Sequence, residues 1–212
     1  MSAAESRMRR WLALAPVIPV YTPATVDEAV QVAQALVRGG LPLIEVTLRT
    51  PVALDALRAM VRAEPAAVIG AGTVLDAGLL RQARDAGAAF AVSPGATPDL
   101  LRAAVAEGLP FLAGIATASD LMRGLEHGLD CFKFFPAAQA GGPALLQSFA
   151  GPFPAVAFCP TGGISAASAP DYLRLRNVRC VGGSWLTPAD RLAAGDWAAV
   201  EALARAAAAL PR

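Results

Sequence analysis

The sequence contains a single lysine, and its surroundings favour a chemical role. Of the 18 basic residues, only Lys133 is a lysine and the others are arginines. Lys133 lies in the apolar run Cys-Phe-Lys-Phe-Phe, where strand alternation places Cys131, Lys133 and Phe135 on one face and Phe132 and Phe134 on the other. Burial disfavours an ammonium, so such a lysine is either paired or neutral. A neutral amine can form a Schiff base, which arginine cannot do. The alternatives are a structural buried lysine or a solvated one.

A glutamate in another apolar run supplies the second ionisable group. In the run Leu43 to Leu48, alternation turns Leu43, Glu45 and Thr47 towards the interior. A lysine that forms an imine needs a proton shuttle, and Glu45 is the best-placed candidate. The alternative is a salt bridge from Glu45 to Lys133 or Arg49. In an extended strand Glu45 and Arg49 would be about 13 Å apart, so they can pair only if the chain turns after Thr47.

Two glycine pairs near the end of the chain favour an anion site. Gly162-Gly163 and Gly182-Gly183-Ser184 each follow a predicted strand, and glycine allows a backbone N–H to approach a phosphate closely. Ordinary tight turns are the alternative. A third glycine motif, Gly70-Ala-Gly-Thr73, begins like a dinucleotide fingerprint but lacks its third glycine, so it is weak evidence for NAD. Thr73 instead offers a hydroxyl at a strand end.

The elements that must position these residues alternate along the chain. Segments of helical periodicity separate eight short apolar runs. The runs are 17–21, 43–48, 67–71, 89–93, 110–115, 131–135, 156–159 and 178–181. Eight βα units of about 20 to 25 residues fit an α/β fold, a (β/α)8 TIM barrel, better than an open sheet. We predict one domain over residues 1–212, with 1–15 as an N-terminal helical extension. In a barrel the chemistry belongs at the carboxyl ends of the strands, where the polar residues above lie.

Local signals predict where helices start and stop. Thr50-Pro51, Thr97-Pro98 and Thr187-Pro188 each place a capping hydroxyl before a proline, and Thr25 with Glu28 reads as a capping box. Glycines that can adopt the left-handed conformation follow the predicted helices at four points: Gly39, Gly87, Gly108 and Gly128.

Composition excludes several function classes. A formal net charge of +1 offers no field for nucleic acid or an anionic membrane. Three cysteines without CxxC spacing and one histidine make zinc and a disulfide framework improbable, and we expect no metal. Arg9-Arg10 before an apolar stretch superficially resembles an export leader, but Pro16 and Pro19 interrupt that stretch. We therefore expect a cytoplasmic protein that spans no membrane.

With the single lysine, the glutamate and the two glycine pairs placed on one barrel, the sequence closely resembles the class I aldolases for 2-keto-3-deoxy-6-phosphogluconate (KDPG) and 4-hydroxy-2-oxoglutarate (KHG). The resemblance runs from Pro16 to Trp197 and is carried by six motifs: Glu-Val-Thr-Leu-Arg-Thr (45–50), Gly-Ala-Gly-Thr-Val-Leu (70–75), Ser-Pro-Gly (93–95), Phe-Lys-Phe-Phe-Pro-Ala (132–137), Phe-Cys-Pro-Thr-Gly-Gly-Ile-Ser (158–165) and Gly-Gly-Ser-Trp-Leu (182–186). The loop at 113–117 departs slightly, because relatives often have a proline before the glycine and a serine before the threonine.

The resemblance implies a role for each matching residue. Lys133 would be the Schiff-base lysine and Glu45 the acid/base. The other implied contacts are Arg49 and Thr73 with the pyruvoyl carboxylate, Pro94 and Phe135 with the reacting carbons, Thr161 with C4, and Gly162, Gly163, Gly183 and Ser184 with the phosphate. The family is typically trimeric and uses neither metal nor cofactor.

The predicted activity is Schiff-base cleavage of KDPG, a phosphorylated keto acid, to pyruvate and glyceraldehyde 3-phosphate. One alternative retains this chemistry with KHG or the phosphogalactonate epimer as substrate. The other is a non-catalytic barrel that binds phosphosugars, which the fold alone does not exclude.

Overall fold

A computed structural model describes residues 6–212 and shows a parallel eight-stranded sheet. The strand order is β7-β6-β5-β4-β3-β2-β1-β8, and the bridges Phe158 to Val178 and Thr161 to Gly182 join the segments around β7 and β8. These bridges bring the ends of the sheet together, which confirms the predicted (β/α)8 barrel. The strands are β1 Val17–Tyr21, β2 Leu43–Thr47, β3 Val68–Gly72, β4 Ala91–Val92, β5 Phe111–Ile115, β6 Cys131–Phe134, β7 Ala157–Pro160 and β8 Val181–Gly183.

Helices alternate with the strands in the described part of the chain. They are α1 Arg7–Leu12, α2 Val26–Arg38, α3 Ala53–Ala63, α4 Ala77–Asp85, α5 Pro98–Glu107, α6 Ala118–Glu126, α7 Gly142–Phe149, α8 Ala169–Leu173, α9 Ala189–Ala193 and α10 Trp197–Ala208. Within residues 6–212, none of these helices has the length and apolar character that a transmembrane span requires.

Side chains divide between the barrel interior and the helix layer as alternation predicts. Leu43 and Cys131 pack in an interior cluster, whereas Ile44, Phe132 and Phe134 belong to the larger cluster between strands and helices. The edge of the Phe134 ring meets Phe149 of α7 with ring centroids 6.4 Å apart. The bulky aromatic pair of β6 therefore anchors the strand on the helices, and the intervening residue, Lys133, points inward.

The N-terminal extension closes one end of the barrel. Helix α1 inserts Met8 and Leu12 into the interior cluster beside Ile18. The predicted extension covered residues 1–15, of which 1–5 lie outside the described residues. Arg9 holds this helix to the barrel, because it donates a hydrogen bond of 2.7 Å to the Ala155 carbonyl oxygen.

Most strand positions were predicted closely, but β8 was placed too early. It begins at Val181, whereas the predicted run started at Val178, which makes only an isolated bridge. Apolar side chains at both positions concealed the boundary, since Val178 is buried although it precedes the strand. The predicted run 89–93 contains β4, which is only two residues long.

Helix starts show which local signals tertiary contacts override. Thr25 and Thr97 cap α2 and α5 as predicted. Thr50 and Thr187 do not cap, because α3 starts at Ala53 and α9 at Ala189, and the hydroxyls donate to the Pro23 and Ser184 carbonyls instead.

The structure also corrects two finer details of the caps. The carboxylate of Glu28 accepts from the Tyr21 hydroxyl at 2.6 Å, so the capping box with Thr25 is only half formed. A complete box lies instead at Thr117 and Asp120 of α6, where none was predicted. Of the predicted glycine stops, Gly39 has φ −76°, and the next residue, Gly40, is the left-handed one, at φ 91°.

Candidate functional site

The two ionisable residues singled out by the sequence meet inside the barrel. The Lys133 Nζ atom donates to Glu45 Oε1 at 3.0 Å and lies 3.4 Å from Oε2. Only 5% of Lys133 and 3% of Glu45 is exposed. Of the two salt bridges considered as alternatives for Glu45, the one to Lys133 is therefore present. A buried, hydrogen-bonded ion pair of this kind can have a purely structural role. It also places an amine next to a carboxylate that can accept its proton.

Three strands separate the two residues in the sheet, so the barrel curvature brings them together. Lys133 projects from β6 and Glu45 from β2, with β3, β4 and β5 between these strands. The Lys133 amine also lies 5.3 Å from the centroid of the Phe135 ring, which is half-buried. An aromatic face near the amine supports a cation and excludes water from one side.

Beyond the pair, Arg49 and Thr73 form the next polar contact. Strand β2 ends at Thr47, the chain turns, and Arg49 Nε donates to Thr73 Oγ1 at 3.0 Å. Thr73 has φ 60° and is the only non-glycine residue with positive φ among residues 6–212. This conformation is unusual for a β-branched residue and is characteristic of functional sites. An arginine and a hydroxyl set side by side can hold a carboxylate.

Pro94 reaches the barrel mouth through a close approach of two strand ends. A Cβ atom on Gly114 of β5 would lie 2.2 Å from the Pro94 carbonyl carbon, so only glycine fits there. The buried hydroxyl of Ser93 accepts the Gly114 N–H at 3.4 Å. Gly114 therefore sets the position of the Ser-Pro-Gly turn.

A cavity of about 160 Å³ opens at the carboxyl ends of the strands. Six predicted site residues line it: Arg49, Phe135, Thr161, Gly162, Gly163 and Ser184. The lining does not include Glu45, Thr73, Lys133 or Pro94. Thr73 is linked to the cavity by its hydrogen bond with Arg49. Lys133, with Glu45 bonded to it, is linked to the cavity through the Phe135 ring.

The glycine pairs occupy two different environments. Gly162 and Gly163 have φ of 100° and 71°, so glycine is required there for the backbone, and both line the cavity. In the second pair, Gly182 lines the cavity and Gly183 does not, although Gly183 was the predicted contact. A Cβ on Gly183 would overlap the Trp185 ring, and one on Gly182 would lie 2.3 Å from Thr161 Oγ1. Close packing therefore contributes to the need for glycine in this pair.

Sequence reasoning missed three wall residues, Val20, Thr22 and Ile164. Thr22 was detectable, because it is a hydroxyl residue directly after the first strand, and the rule applied to the other strand ends covers it. Its Oγ1 lies 2.7 Å from Thr47 Oγ1, which is buried on β2. Val20 and Ile164 gave no signal, since apolar residues in or beside a strand are ordinary core.

The opposite end of the barrel contains buried thiols with raised pKa values. Burial raises the pKa of the Cys131 thiol, with a further contribution from Asp130, and burial likewise raises that of Cys180. A cavity of about 320 Å³ beside α1 includes Cys131 and Asp130 in its wall, but Asp130 already accepts a hydrogen bond from Ser6 at 2.6 Å. Protonated thiols are poor nucleophiles, so this larger cavity lacks the reactive groups of the carboxyl end.

Comparison with known proteins gives a consistent result. A family model described as KDPG and KHG aldolase matches residues 8–203. The KHG/KDPG aldolase of Escherichia coli is 52% identical over 196 residues, which is 92% of each chain. The structure of the KDPG aldolase of Zymomonas mobilis with 3-phosphoglycerate superposes with a TM-score of 0.93 at 50% identity, over 97% of each chain. A Legionella pneumophila KDPG aldolase holding pyruvate as a covalent carbinolamine superposes with a TM-score of 0.92 at 45% identity, over 94% of this chain and 97% of that one.

Proposed function

The chain belongs to the KDPG and KHG aldolase family, and we propose that Lys133 and Glu45 are the catalytic residues of its Schiff-base reaction. The reaction is the cleavage of 2-dehydro-3-deoxy-6-phosphogluconate to pyruvate and glyceraldehyde 3-phosphate. One observation carries the assignment of residues. The only lysine of the chain is buried with its amine 3.0 Å from a carboxylate, beneath a cavity at the carboxyl ends of the strands.

The reaction begins with imine formation. Glu45 accepts a proton from Lys133 along their hydrogen bond, and the neutral amine attacks the C2 ketone of the substrate. Glu45, directly or through a water molecule, then gives a proton to the carbinolamine hydroxyl, which leaves as water. The product is a protonated imine between Nζ and C2.

The imine then accepts the electrons of the breaking bond. Glu45 removes the proton of the C4 hydroxyl, the C3–C4 bond breaks, and its electron pair forms an enamine on Lys133 as the aldehyde leaves. Protonation of C3 regenerates the imine, and water hydrolyses it to release pyruvate. One carboxylate can serve every step, because it gains a proton in one and loses it in the next.

The remaining residues would bind the two anionic ends of the substrate. Arg49 and Thr73 are joined by a 3.0 Å hydrogen bond and supply donors for the pyruvoyl carboxylate. Gly162, Gly163 and Ser184 line the cavity and would contact the phosphate, and Gly183 precedes Ser184 in the same loop. Pro94 and Phe135 would border the reacting carbons, and Thr161, at 6% exposure, would lie beside C4.

Trapping with pyruvate and sodium borohydride tests the nucleophile. Mass spectrometry should find one reduced pyruvate adduct, and peptide mapping should place it on Lys133. The Lys133→Arg variant is the control, because it keeps the charge but cannot form an imine, and only the N-terminal amine remains in it. A folded protein without an adduct on Lys133 would contradict the mechanism and favour a non-catalytic phosphosugar-binding barrel.

Side-by-side kinetics decide between the substrates of the family. We expect kcat/KM for KDPG to exceed that for 4-hydroxy-2-oxoglutarate, because only a phosphorylated substrate uses the glycine loops. We expect it also to exceed that for the phosphogalactonate epimer, which differs from KDPG at C4, the carbon proposed to lie beside Thr161. A difference at one substituent is worth about 1 to 3 kcal/mol, so weaker side activities are expected. Equal values for the phosphorylated and non-phosphorylated substrates would remove the proposed phosphate contacts.

We also propose a cytoplasmic homotrimer whose protomer is one domain, with neither nucleic acid nor membrane as partner. The stretch after the arginines belongs to the barrel, since Leu12 is buried in it and Val17–Tyr21 forms β1. Large exposed side chains on the α5 and α6 helices, Val105, Met122 and Leu125, offer an apolar surface for association. Light scattering gives the oligomeric state, and cell fractionation gives the location.

A further inference from the structure

The inward face of β3 carries two glycines that have ordinary backbone conformations. Gly70 and Gly72 pair with Glu45 and Thr47 of β2, so all four positions face the barrel interior. Neither glycine has positive φ, so the backbone does not require glycine at either position. The reason for glycine must therefore lie in what occupies the space of a side chain.

The occupant differs between the two positions. A Cβ on Gly70 would lie 2.4 Å from the Phe90 ring, which is part of the interior core. A Cβ on Gly72 would lie 2.2 Å from Glu45 Oε1, 2.6 Å from its Cγ and 2.8 Å from its Cδ. The carboxyl end of Glu45 thus lies across β3 in the space that any other residue at position 72 would fill.

We propose that Gly72 is a positioning residue, whose missing side chain holds the carboxylate of Glu45 against the amine of Lys133. This inference rests on the catalytic role proposed for Glu45. An added methyl group would meet the flexible end of a side chain, and a rotation of Glu45 relieves that overlap more easily than a movement of the strand. The rotation would break the 3.0 Å hydrogen bond to Lys133 while leaving the barrel intact.

Gly72→Ala tests the proposal by activity. We expect kcat to fall by at least about 10-fold, approaching about 10²-fold, with KM little changed, because a displacement of about 1 Å can cost that much in a proton transfer. The effects of Gly72→Ala and Glu45→Gln on kcat should not add in the double variant, since both act through one carboxylate. Gly151→Ala, at an exposed position where a Cβ meets nothing within 4 Å, is the matched control.

Thermal unfolding tests the same contact without reference to catalysis. In the wild-type background Gly72→Ala should lower Tm, whereas in a Glu45→Ala background the space is empty and the same change should leave Tm unchanged or raise it. If Gly72→Ala alone does not fold, the Tm values of Glu45→Ala and Glu45→Ala/Gly72→Ala still test the proposal, which expects an equal or higher Tm in the double variant.

Failure of the proposed function and failure of the positioning role of Gly72 would give different results. A wild-type kcat in Glu45→Gln would overturn the proposed function. A large effect of Glu45→Gln with no effect of Gly72→Ala would overturn only the positioning role. Equal Tm shifts in the two backgrounds, or additive effects on kcat, would also overturn it.

Discussion

Arg49 and Thr73 are held together by a 3.0 Å hydrogen bond from Nε to Oγ1, and Thr73 makes this contact from a backbone with φ 60°. Residues 45–50 and 70–75 belong to different strand ends, and the contact joins them at the barrel mouth. A threonine in the left-handed region stores strain of the order of 1 to 3 kcal/mol, which other contacts of the fold must offset.

Thr73→Gly should separate stability from binding. Glycine relieves the strain but loses more conformational entropy on folding, so we expect the free energy of unfolding to rise by up to about 1 kcal/mol. The lost hydroxyl should lower kcat/KM by about 10-fold, mostly through KM. Denaturant titration and steady-state kinetics measure the two effects. Thr73→Ser keeps the hydroxyl and should retain most activity. A fall in stability of Thr73→Gly would show that the strain is smaller than the entropic cost of glycine.

Glu45→Gln should lower kcat by about 10²-fold or more, because an amide cannot accept and return protons. Imine formation with pyruvate should partly survive, since the amine of Lys133 is still present. Rapid-quench borohydride trapping measures the imine and a coupled assay measures turnover. Glu126→Gln, at an exposed position of α6, controls for loss of a carboxylate elsewhere. A kcat near the wild-type value would remove Glu45 from the mechanism.

The capping box of α6 should make part of the stability depend on pH. Burial alone would raise the pKa of Asp120, but hydrogen bonds from Thr117 and Ala116 and the charge of Arg123 outweigh it and leave the pKa below its ordinary value. A carboxyl with a lowered pKa stabilises the fold at pH above its unfolded pKa, and that contribution is lost as the pH falls through the folded pKa.

Asp120→Asn isolates this charge while retaining an acceptor for the helix N-terminus. We expect the variant to be less stable at pH 7 by about 0.5 to 1 kcal/mol. The difference should shrink as the pH is lowered below about 4. Urea titrations at several pH values measure it. A difference that stays constant down to pH 3 would show that the charge of Asp120 does not contribute.

The three cysteines should be unreactive in the folded protein. All are buried free thiols, and burial raises the pKa of Cys131 and Cys180, so the reactive thiolate is scarce. At pH 8 a disulfide reagent should modify less than about one thiol per chain in minutes, and all three after unfolding in guanidinium. Fast modification of the folded protein would show that the end of the barrel beside α1 opens readily.

Features that depend only on neighbouring residues or on the strand order could be predicted from the sequence. Side-chain alternation in a strand has a period of two, so the run 131–135 by itself predicted Phe132 and Phe134 on the helices and Lys133 inside. The strand-end rule of a barrel likewise predicted that Glu45, Arg49 and Thr161 lie at one end, because every parallel strand ends at the same face.

Contacts between segments distant in the sequence decided the rest. The hydroxyl of Thr50 bonds to Pro23 and that of Thr187 to Ser184, so neither threonine caps the helix that its sequence signals. The sequence motif also did not show that Gly182 borders the cavity, whereas the Trp185 ring fills the space beside Gly183.

The amino-acid sequence by itself determined the barrel, the inward direction of Lys133 and Glu45 and the chemistry that such a pair can perform, since residue type and strand period suffice for these. Only the tertiary structure decided that the two groups meet at 3.0 Å, that Thr73 adopts a left-handed backbone and that Gly72 leaves the space in which the carboxylate lies. These features depend on barrel closure and on the volumes of side chains from separate strands, which no single segment of the chain encodes.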